Sequence, residues 1–412
     1  MVTSRQLTVS STRRDAWVEV DLGAIEHNIA QVLSWLNQPA SKHRAPEGLR
    51  TQEKTKTRLM AVVKSDAYGH GAVGVVQVLI ASGADFLGVA SVDEGCQLRS
   101  VDGKVPILLL SPLPAWAIAT ALEHNLEMTV TSAGQVREIA TVASRKQSQA
   151  RVHLKVDTGM HRLGVAPQYT STVLDEIKKS DHLRLVSVFS HLAKADDREA
   201  TTYQNDQFEK IVQLVREVEP ELRSKGRACD SEPIFFHLAS GDAARRFPFA
   251  HHDMVRVGLL LYGLEAGSAA TDLMPAMSVR GRINHLRQIE NDEAVGYGWT
   301  WKAERPTRLA TIPIGYADGV DRRLSNRMSA LLMGRQIRQV GTISMDQMLF
   351  DITDVPEAQE GDVITLIGTD GAHSIQLADW AGMLDTITYE LACRMRVRLP
   401  RIYTRHRSSR AQ

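Results

Sequence analysis

Residues 58 to 71 read Arg58-Leu59-Met60-Ala61-Val62-Val63-Lys64-Ser65-Asp66-Ala67-Tyr68-Gly69-His70-Gly71. The apolar run has the length of a buried strand, and it breaks into a small, polar, glycine-containing turn directly after the lysine. This pattern predicts a strand over 58–64 that delivers an amine from its carboxyl end. A lysine amine that is desolvated, or set beside other cations, gives up its proton and can condense with a carbonyl as a Schiff base. Taken alone, the same letters also fit a lysine snorkelling from a strand end beside an ordinary loop. Tyr68 offers a hydroxyl four residues on, and Gly69 and Gly71 let backbone approach a ligand closely.

Downstream, short β-rich runs at 85–90, 106–111, 127–131, 151–156, 184–191, 233–240 and 253–258 alternate with helical patterns. In 207–218, for example, Phe208, Ile211, Val212, Val215 and Val218 fall on one helical face. Strand-then-helix units in this number predict an α/β fold, a parallel (β/α)8 TIM-type barrel. An open doubly wound sheet would share the alternation, but no glycine fingerprint opens its first unit. In such barrels active sites gather at the carboxyl ends of the strands. Lys64, the run from Lys155 to Arg162, His191, Ser240 and Arg256 all fall there.

Upstream, Trp17-Val18-Glu19-Val20 precedes Asp21, a candidate N-cap for a helix carrying Ile25, Ile29, Val32, Leu33 and Leu36 at helical spacing. Residues 38–57 carry neither period and read as a polar surface insertion. Past Gly263 the texture changes. Strand-like runs at 277–289, 308–314, 331–343, 347–352 and 362–367 are divided by Gly, Pro and Asp turns, with one helical stretch at 377–384. The expected division is a flexible tail over 1–14, a barrel domain over 15–269, a mostly-β C-terminal domain over 270–404 and a second tail over 405–412.

Composition narrows the function. The 412 residues carry 49 basic and 48 acidic side chains, a net charge of +1, so no bulk field favours nucleic acid or a membrane surface. Small neutral or zwitterionic substrates suit that balance. Cys96, Cys229 and Cys393 lie far apart without metal-ligand spacing, which implies a reducing compartment and no metal site. The first fourteen residues hold no apolar core of signal-peptide length and no apolar run approaches a membrane span, so a cytoplasmic protein is expected.

Further motifs follow the first in order: Lys155-Val156-Asp157-Thr158-Gly159-Met160-His161-Arg162-Leu163-Gly164, Ser190-His191-Leu192, His237-Leu238-Ala239-Ser240-Gly241, Met254-Val255-Arg256-Val257-Gly258-Leu259, Val295-Gly296-Tyr297-Gly298-Trp299, Ile312-Pro313-Ile314-Gly315-Tyr316 and Gly341-Thr342-Ile343-Ser344-Met345-Asp346. Singly, each fits a salt-bridge cluster, a structural histidine or a common turn. Together, and in this order, they resemble the alanine racemases, pyridoxal-phosphate (PLP) enzymes built on a barrel and a second domain. The resemblance implies that Lys64 carries the cofactor, with Tyr68, His191, Ser240, Arg256, Gly258 and Leu259 also binding it. It implies that Arg162 and Met345 face the substrate carboxylate, and that Lys64 and Tyr297 move protons on opposite faces of the α-carbon of alanine. It further implies a homodimer in which Tyr297 and Met345 act across the interface, and a role in supplying D-alanine for cell-wall peptidoglycan.

Lys155 matches a lysine that some members of the family carry as a carbamate. Arg256 matches the arginine facing the pyridine nitrogen. An arginine cannot readily give up its proton, so the ring stays unprotonated and reprotonation at the α-carbon is favoured over transamination. Two departures stand out. Many members have Asn-Ser where this chain has Ser240-Gly241, and many place a phosphate-binding tyrosine where this chain has Val397. The alternatives are a broad-specificity or serine racemase, a barrel decarboxylase, or a non-catalytic PLP-binding protein. The decarboxylase would need a cysteine and an acidic ring partner where Ser344 and Arg256 stand. The binding protein would have no use for Tyr297.

Overall fold

The computed structural model describes residues 14–37, 56–223, 233–264, 272–395 and 398–405. They divide into two compact units. One comprises Glu26–Ala67 and Ala72–Leu261; the other comprises the described residues up to Ile25, Tyr68–Gly71 and those from Tyr262 onward.

The chain enters the second of these units first, through β1 (Ala16–Asp21). The helix Leu22–Leu36 follows at once, and Asp21 caps it by accepting from the amides of Gly23 (2.8 Å) and Ala24 (3.3 Å). The barrel unit contains eight parallel strands: β2 (Arg58–Val62), β3 (Phe86–Val89), β4 (Ile107–Pro112), β5 (Glu127–Val130), β6 (Ala150–Lys155), β7 (Leu183–Phe189), β8 (Phe235–His237) and β9 (Met254–Val257). They pair in sequence from β2 to β8, and β9 returns beside β2. The ring closes where the amides of Asp253 and Arg256 donate to the carbonyls of Phe236 (2.9 Å) and Ala239 (3.1 Å). Both faces of such strands are covered, which is why they read as near-continuous apolar runs. Met60, Phe86, Leu108, Val186, Phe189, Phe235 and Met254 form one core cluster. The helix Arg198–Arg223 lays Phe208, Ile211, Val212 and Val215 into buried positions, the face its spacing predicts.

The second unit holds β10 (Met277–Arg282), β11 (His285–Ile289), β12 (Ala294–Val295), β13 (Trp301–Lys302), β14 (Thr307–Ile312), β15 (Ser329–Leu332), β16 (Arg335–Val340), β17 (Met348–Asp351), β18 (Val363–Asp370), β19 (His373–Ile375) and β20 (Arg401–Thr404). Most join one sheet in the order β11-β14-β17-β16-β15-β18-β10-β1-β20. β1 lies antiparallel to β10 and parallel to β20.

Four findings differ from the sequence reading. β1, expected to open the barrel span 15–269, pairs on both edges within the β-rich sheet. Arg14, expected in a flexible tail, is fixed by a two-pronged bond to the buried Asp318 (2.5 and 2.8 Å) and another to the Pro313 carbonyl (2.8 Å). The lone helix expected at 377–384 is followed by a second, Thr388–Arg394. The strand expected over 58–64 stops at Val62, because the backbone changes hand after Lys64. The expected insertion over 38–57 lies outside the described residues except for Lys56 and Thr57, and Val397 lies outside them too.

Candidate active site

Lys64 opens a left-handed turn. Ser65, Asp66 and Ala67 all sit near φ 54°, ψ 48°, and Tyr68 follows at φ 52°. Left-handed backbone costs an L-residue roughly 1–2 kcal/mol, so four in a row cost about 4–8 kcal/mol. Local bonds offset this. The Ser65 amide donates to Oε1 of Glu94 (2.7 Å), whose Oε2 accepts from the Ala90 amide (2.8 Å). Asp66 Oδ1 accepts from the Ala72 amide (2.7 Å), and the Ala67 amide donates to the Val63 carbonyl (2.9 Å). Within the β-rich unit, the buried Tyr68 ring packs 5.7 Å from Tyr262 and 6.4 Å from Tyr389. Burial pushes its hydroxyl pKa well up, and Tyr389 and Cys393 add to the rise. Gly69, at φ +81°, has no room for a side chain: a Cβ there would collide with the Ala392 carbonyl.

The mouth of the barrel is a cluster of cations. Burial lowers the Lys155 amine to about 8, and the charges of Arg256, Arg162 and Lys64 push the same way, against Asp157. Burial above all, and then those four cations, drive His191 to about 3, so its imidazole is neutral at pH 7. The carboxylate of Asp157 is taken up by its own loop, accepting from the amides of Gly159 (3.0 Å), Met160 (3.1 Å) and His161 (3.0 Å). It therefore shapes the turn that leads to Arg162.

Arg256 is 4% exposed, and burial lowers it to about 9, which still leaves it charged at neutral pH. Its Nη1 donates to His237 Nδ1 (2.9 Å) and the His237 carbonyl (3.2 Å). Its Nη2 donates to the carbonyls of Ser190 (2.7 Å) and Leu238 (3.0 Å) and to His191 Nδ1 (3.1 Å). Each of these acceptors is neutral. The Phe189 ring lies 5.4 Å from both the Arg256 guanidinium and the Lys155 amine, a cation–π floor that desolvates them. Ser240 bridges to Arg256 and stands just before the short helix Gly241–Arg246. Gly241 faces open space: a Cβ built there meets nothing within 4 Å. Gly258 and Leu259 follow β9 at the start of a 3-10 turn.

In the β-rich unit, Tyr297 sits on a 3-10 turn between Gly296 (φ +74°) and Gly298 (φ +73°). Its carbonyl accepts from Thr342 Oγ1 (2.8 Å), which pairs with Thr300 Oγ1 (3.0 Å), tying this turn to the loop that carries Met345. The side chains point to solvent, with Tyr297 74%, Trp299 77% and Met345 53% exposed.

Of the residues singled out from the sequence, Lys64, Arg162, His191, Ser240 and Arg256 thus gather at the carboxyl ends of the barrel strands with Lys155. Tyr297 and Met345 form a second group on the other unit. The sequence reading missed Glu94, Phe189 and the polar residues inside the barrel. A signal for the last was present: Arg151, His153 and Lys155 alternate along β6, and a polar alternation on a strand apolar elsewhere marks one face as a polar interior.

Residues 47–266 match the family model "Alanine racemase, N-terminal domain", and residues 276–403 match "Alanine racemase, C-terminal domain". An alanine racemase of Nostoc sp. is 38% identical over 94% of this chain and 95% of its own length. One from Methanococcus maripaludis is 32% identical over 94% and 98%. Among solved structures, an alanine racemase from Bacillus anthracis with bound L-Ala-P superposes with a TM-score of 0.82 at 30% identity, covering 96% of each chain. With both units matched and relatives aligned over nearly their whole length, the chain belongs to the alanine racemases, a family of amino-acid racemases.

Proposed function

We propose that this chain interconverts L-alanine and D-alanine, using PLP held at Lys64 and proton transfer by Lys64 and Tyr297. The observation that carries this reading is Arg256, a buried cation whose hydrogen bonds named above all go to neutral acceptors and which shares the barrel mouth with Lys64, Lys155 and Arg162. Four cations with one loop-bound carboxylate among them suit an anionic ligand.

The donor set fits PLP. Ser240, the amides opening the Gly241–Arg246 helix and those at Gly258 and Leu259 would hold the phosphate, and the open space at Gly241 leaves room for it. Tyr68 would add its hydroxyl, and Arg256, steadied against His191, would meet the ring nitrogen. When bound, PLP supplies an electron-withdrawing ring that acidifies the hydrogen on the α-carbon of an amino acid. Arg162 would grip the substrate carboxylate with its planar fork, as Met345 limits the side chain to something small. The Lys64 amine and the Tyr297 phenol would stand on opposite faces of the α-carbon, one removing its proton and the other returning a proton from the far side.

Tyr297, Trp299, Tyr316 and Met345 expose an apolar surface of a kind that suits a partner. In a homodimer this surface would close the barrel mouth of the second copy, bringing Tyr297 to its substrate. D-alanine made this way in the cytoplasm would feed cell-wall peptidoglycan.

The test is a yellow protein whose absorbance band borohydride removes as it fixes the cofactor to Lys64, joined to a coupled assay for L-alanine formed from D-alanine. A Lys64→Ala protein that still held PLP covalently would overturn the assignment. Comparable turnover of serine or of long basic amino acids would replace the narrow substrate with a broad one.

A further inference from the structure

Behind Arg256, a file of buried polar side chains runs round the inside of the barrel, one residue per strand. It starts at Glu127 on β5 and passes His153 on β6, Ser187 on β7 and His237 on β8 before reaching Arg256 on β9. The links are short: Glu127 Oε2 to His153 Nε2 2.6 Å, His153 Nδ1 to Ser187 Oγ 2.6 Å, Ser187 Oγ to His237 Nε2 2.9 Å, and His237 Nδ1 to Arg256 Nη1 2.9 Å. At the far end Arg151 Nε lies 2.5 Å from Glu127 Oε1. Aromatic rings brace the imidazoles: Phe189 stacks on His237 at 4.8 Å, and Phe235 meets His153 edge-on at 6.2 Å.

Donor rules set the direction of every link. A guanidinium can donate but never accept, so His237 Nδ1 is the acceptor and its proton sits on Nε2. That proton goes to Ser187 Oγ. Ser187 then passes its own hydrogen to His153 Nδ1, leaving the His153 Nε2 proton for the carboxylate. With the bonds running in this direction both imidazoles share one tautomer, protonated at Nε2, and the dipoles point the same way from arginine to carboxylate. Burial alone would raise the Glu127 carboxyl, but the bond from His153 and the neighbouring Arg151 guanidinium outweigh it and keep it ionised.

We propose that His237, Ser187 and His153 are positioning residues, a one-way hydrogen-bond relay that aims the Arg256 guanidinium and links it to Glu127 as a remote counter-charge. The neutral acceptors around Arg256 fix its plane without balancing its charge; the relay supplies the balance through aligned bonds that polarise one another. Glu127 thereby bears on the electron demand at the barrel mouth from the start of its strand.

The first measurement needs no cofactor, so it is independent of the proposed activity. Long-range proton–nitrogen NMR on 15N-histidine-labelled full chain should show His237 and His153 neutral, each protonated at Nε2. A doubly protonated His153, or a proton on Nδ1 of His237, overturns the relay. In the PLP-loaded enzyme, Ser187→Ala and Glu127→Gln should each shift the cofactor absorbance and lower kcat roughly tenfold, the scale of one lost buried hydrogen bond, while KM stays within about twofold. Ser187→Thr, which restores a hydroxyl, should recover the tautomers and most of kcat. Loss of melting temperature with unchanged absorbance and kcat would mean the file is structural and refute the proposal. Should a variant fail to fold, the wild-type tautomers still decide.

Discussion

Removing the Glu94 carboxylate tests whether the left-handed turn is what aims Lys64. One carboxylate oxygen accepts from Ser65 at the head of the turn and the other from Ala90. In Glu94→Ala both acceptors vanish, and at this half-exposed site each bond to an ionised acceptor stabilises by about 1–1.5 kcal/mol net. The turn itself carries about 4–8 kcal/mol of backbone cost, so losing about 2–3 kcal/mol shifts the balance toward a relaxed backbone about 30- to 150-fold. We expect PLP affinity to fall at least about tenfold, the strained state being what presents the amine. Glu94→Gln should fall between, because its amide oxygen can still serve one N–H while its amide nitrogen faces the other. Glu94 is also the third residue of the helix Val92–Val101, where its amide donates to the Ser91 cap. Ser91→Ala, which weakens that cap and leaves the turn alone, is therefore the control and should bind PLP normally. The assay is a titration of cofactor-free protein with PLP, read by absorbance and by mass after borohydride reduction. A Glu94→Ala protein with PLP affinity and kcat both within twofold of wild type would refute the reasoning.

Tyr297→Phe is expected to lower racemisation by about 10²- to 10⁴-fold, the usual worth of a positioned acid–base group. Solvent deuterium should still enter one enantiomer through the face served by Lys64; equal loss of exchange for both enantiomers would contradict the division of labour. For Lys155, the folded amine near 8 lies below its ordinary 10.5, so the unfolded chain binds more protons between those values. The destabilisation is full below about pH 8 and fades as pH rises towards 10.5, so wild type should gain about 1–3 kcal/mol on Lys155→Met across that window. Denaturant melts at the two ends would show it, and a pH-independent difference would argue against a desolvated amine. Finally, Trp299→Glu should weaken self-association in sedimentation experiments and depress specific activity on dilution, whereas unchanged dilution behaviour would remove that face from the interface.

The barrel was legible because its strands are buried on both sides, so runs such as Leu59 to Val62 and Leu108 to Leu110 announce themselves without any partner being known. Lys64, Arg162 and Arg256 were legible as positions, since strand ends can be read from where apolar runs stop. The turn after Lys64 was not. Ser65, Asp66, Ala67 and Tyr68 are ordinary letters with no glycine among them, and a bond that braces them comes from Glu94, far along the chain. The pairing of β1 was hidden for a related reason: its six residues carry an apolar pattern that suits either sheet, and the choice is made by partners at 277–282 and 401–404. The helix Thr388–Arg394 escaped because seven residues are too few to establish a period. The file from Glu127 to His237 left only the alternation of Arg151, His153 and Lys155 on β6 as a local sign, because each of the other strands contributes a single member and no motif.

That pairing of β1 with β20 bears on how the molecule is made. During synthesis the earliest of the described strands emerges with one of its two neighbours still hundreds of residues from being built, and β10, its other neighbour, also lies beyond the entire barrel. The barrel unit can condense as it appears, while β1 has an unpaired edge until the chain is nearly finished. A late, long-range closure of this kind is slow, and it exposes an apolar strand meanwhile. The β-rich unit, which presents Tyr297, is therefore sealed last, and nascent chains truncated before Arg401 should be prone to stick to one another through that waiting edge.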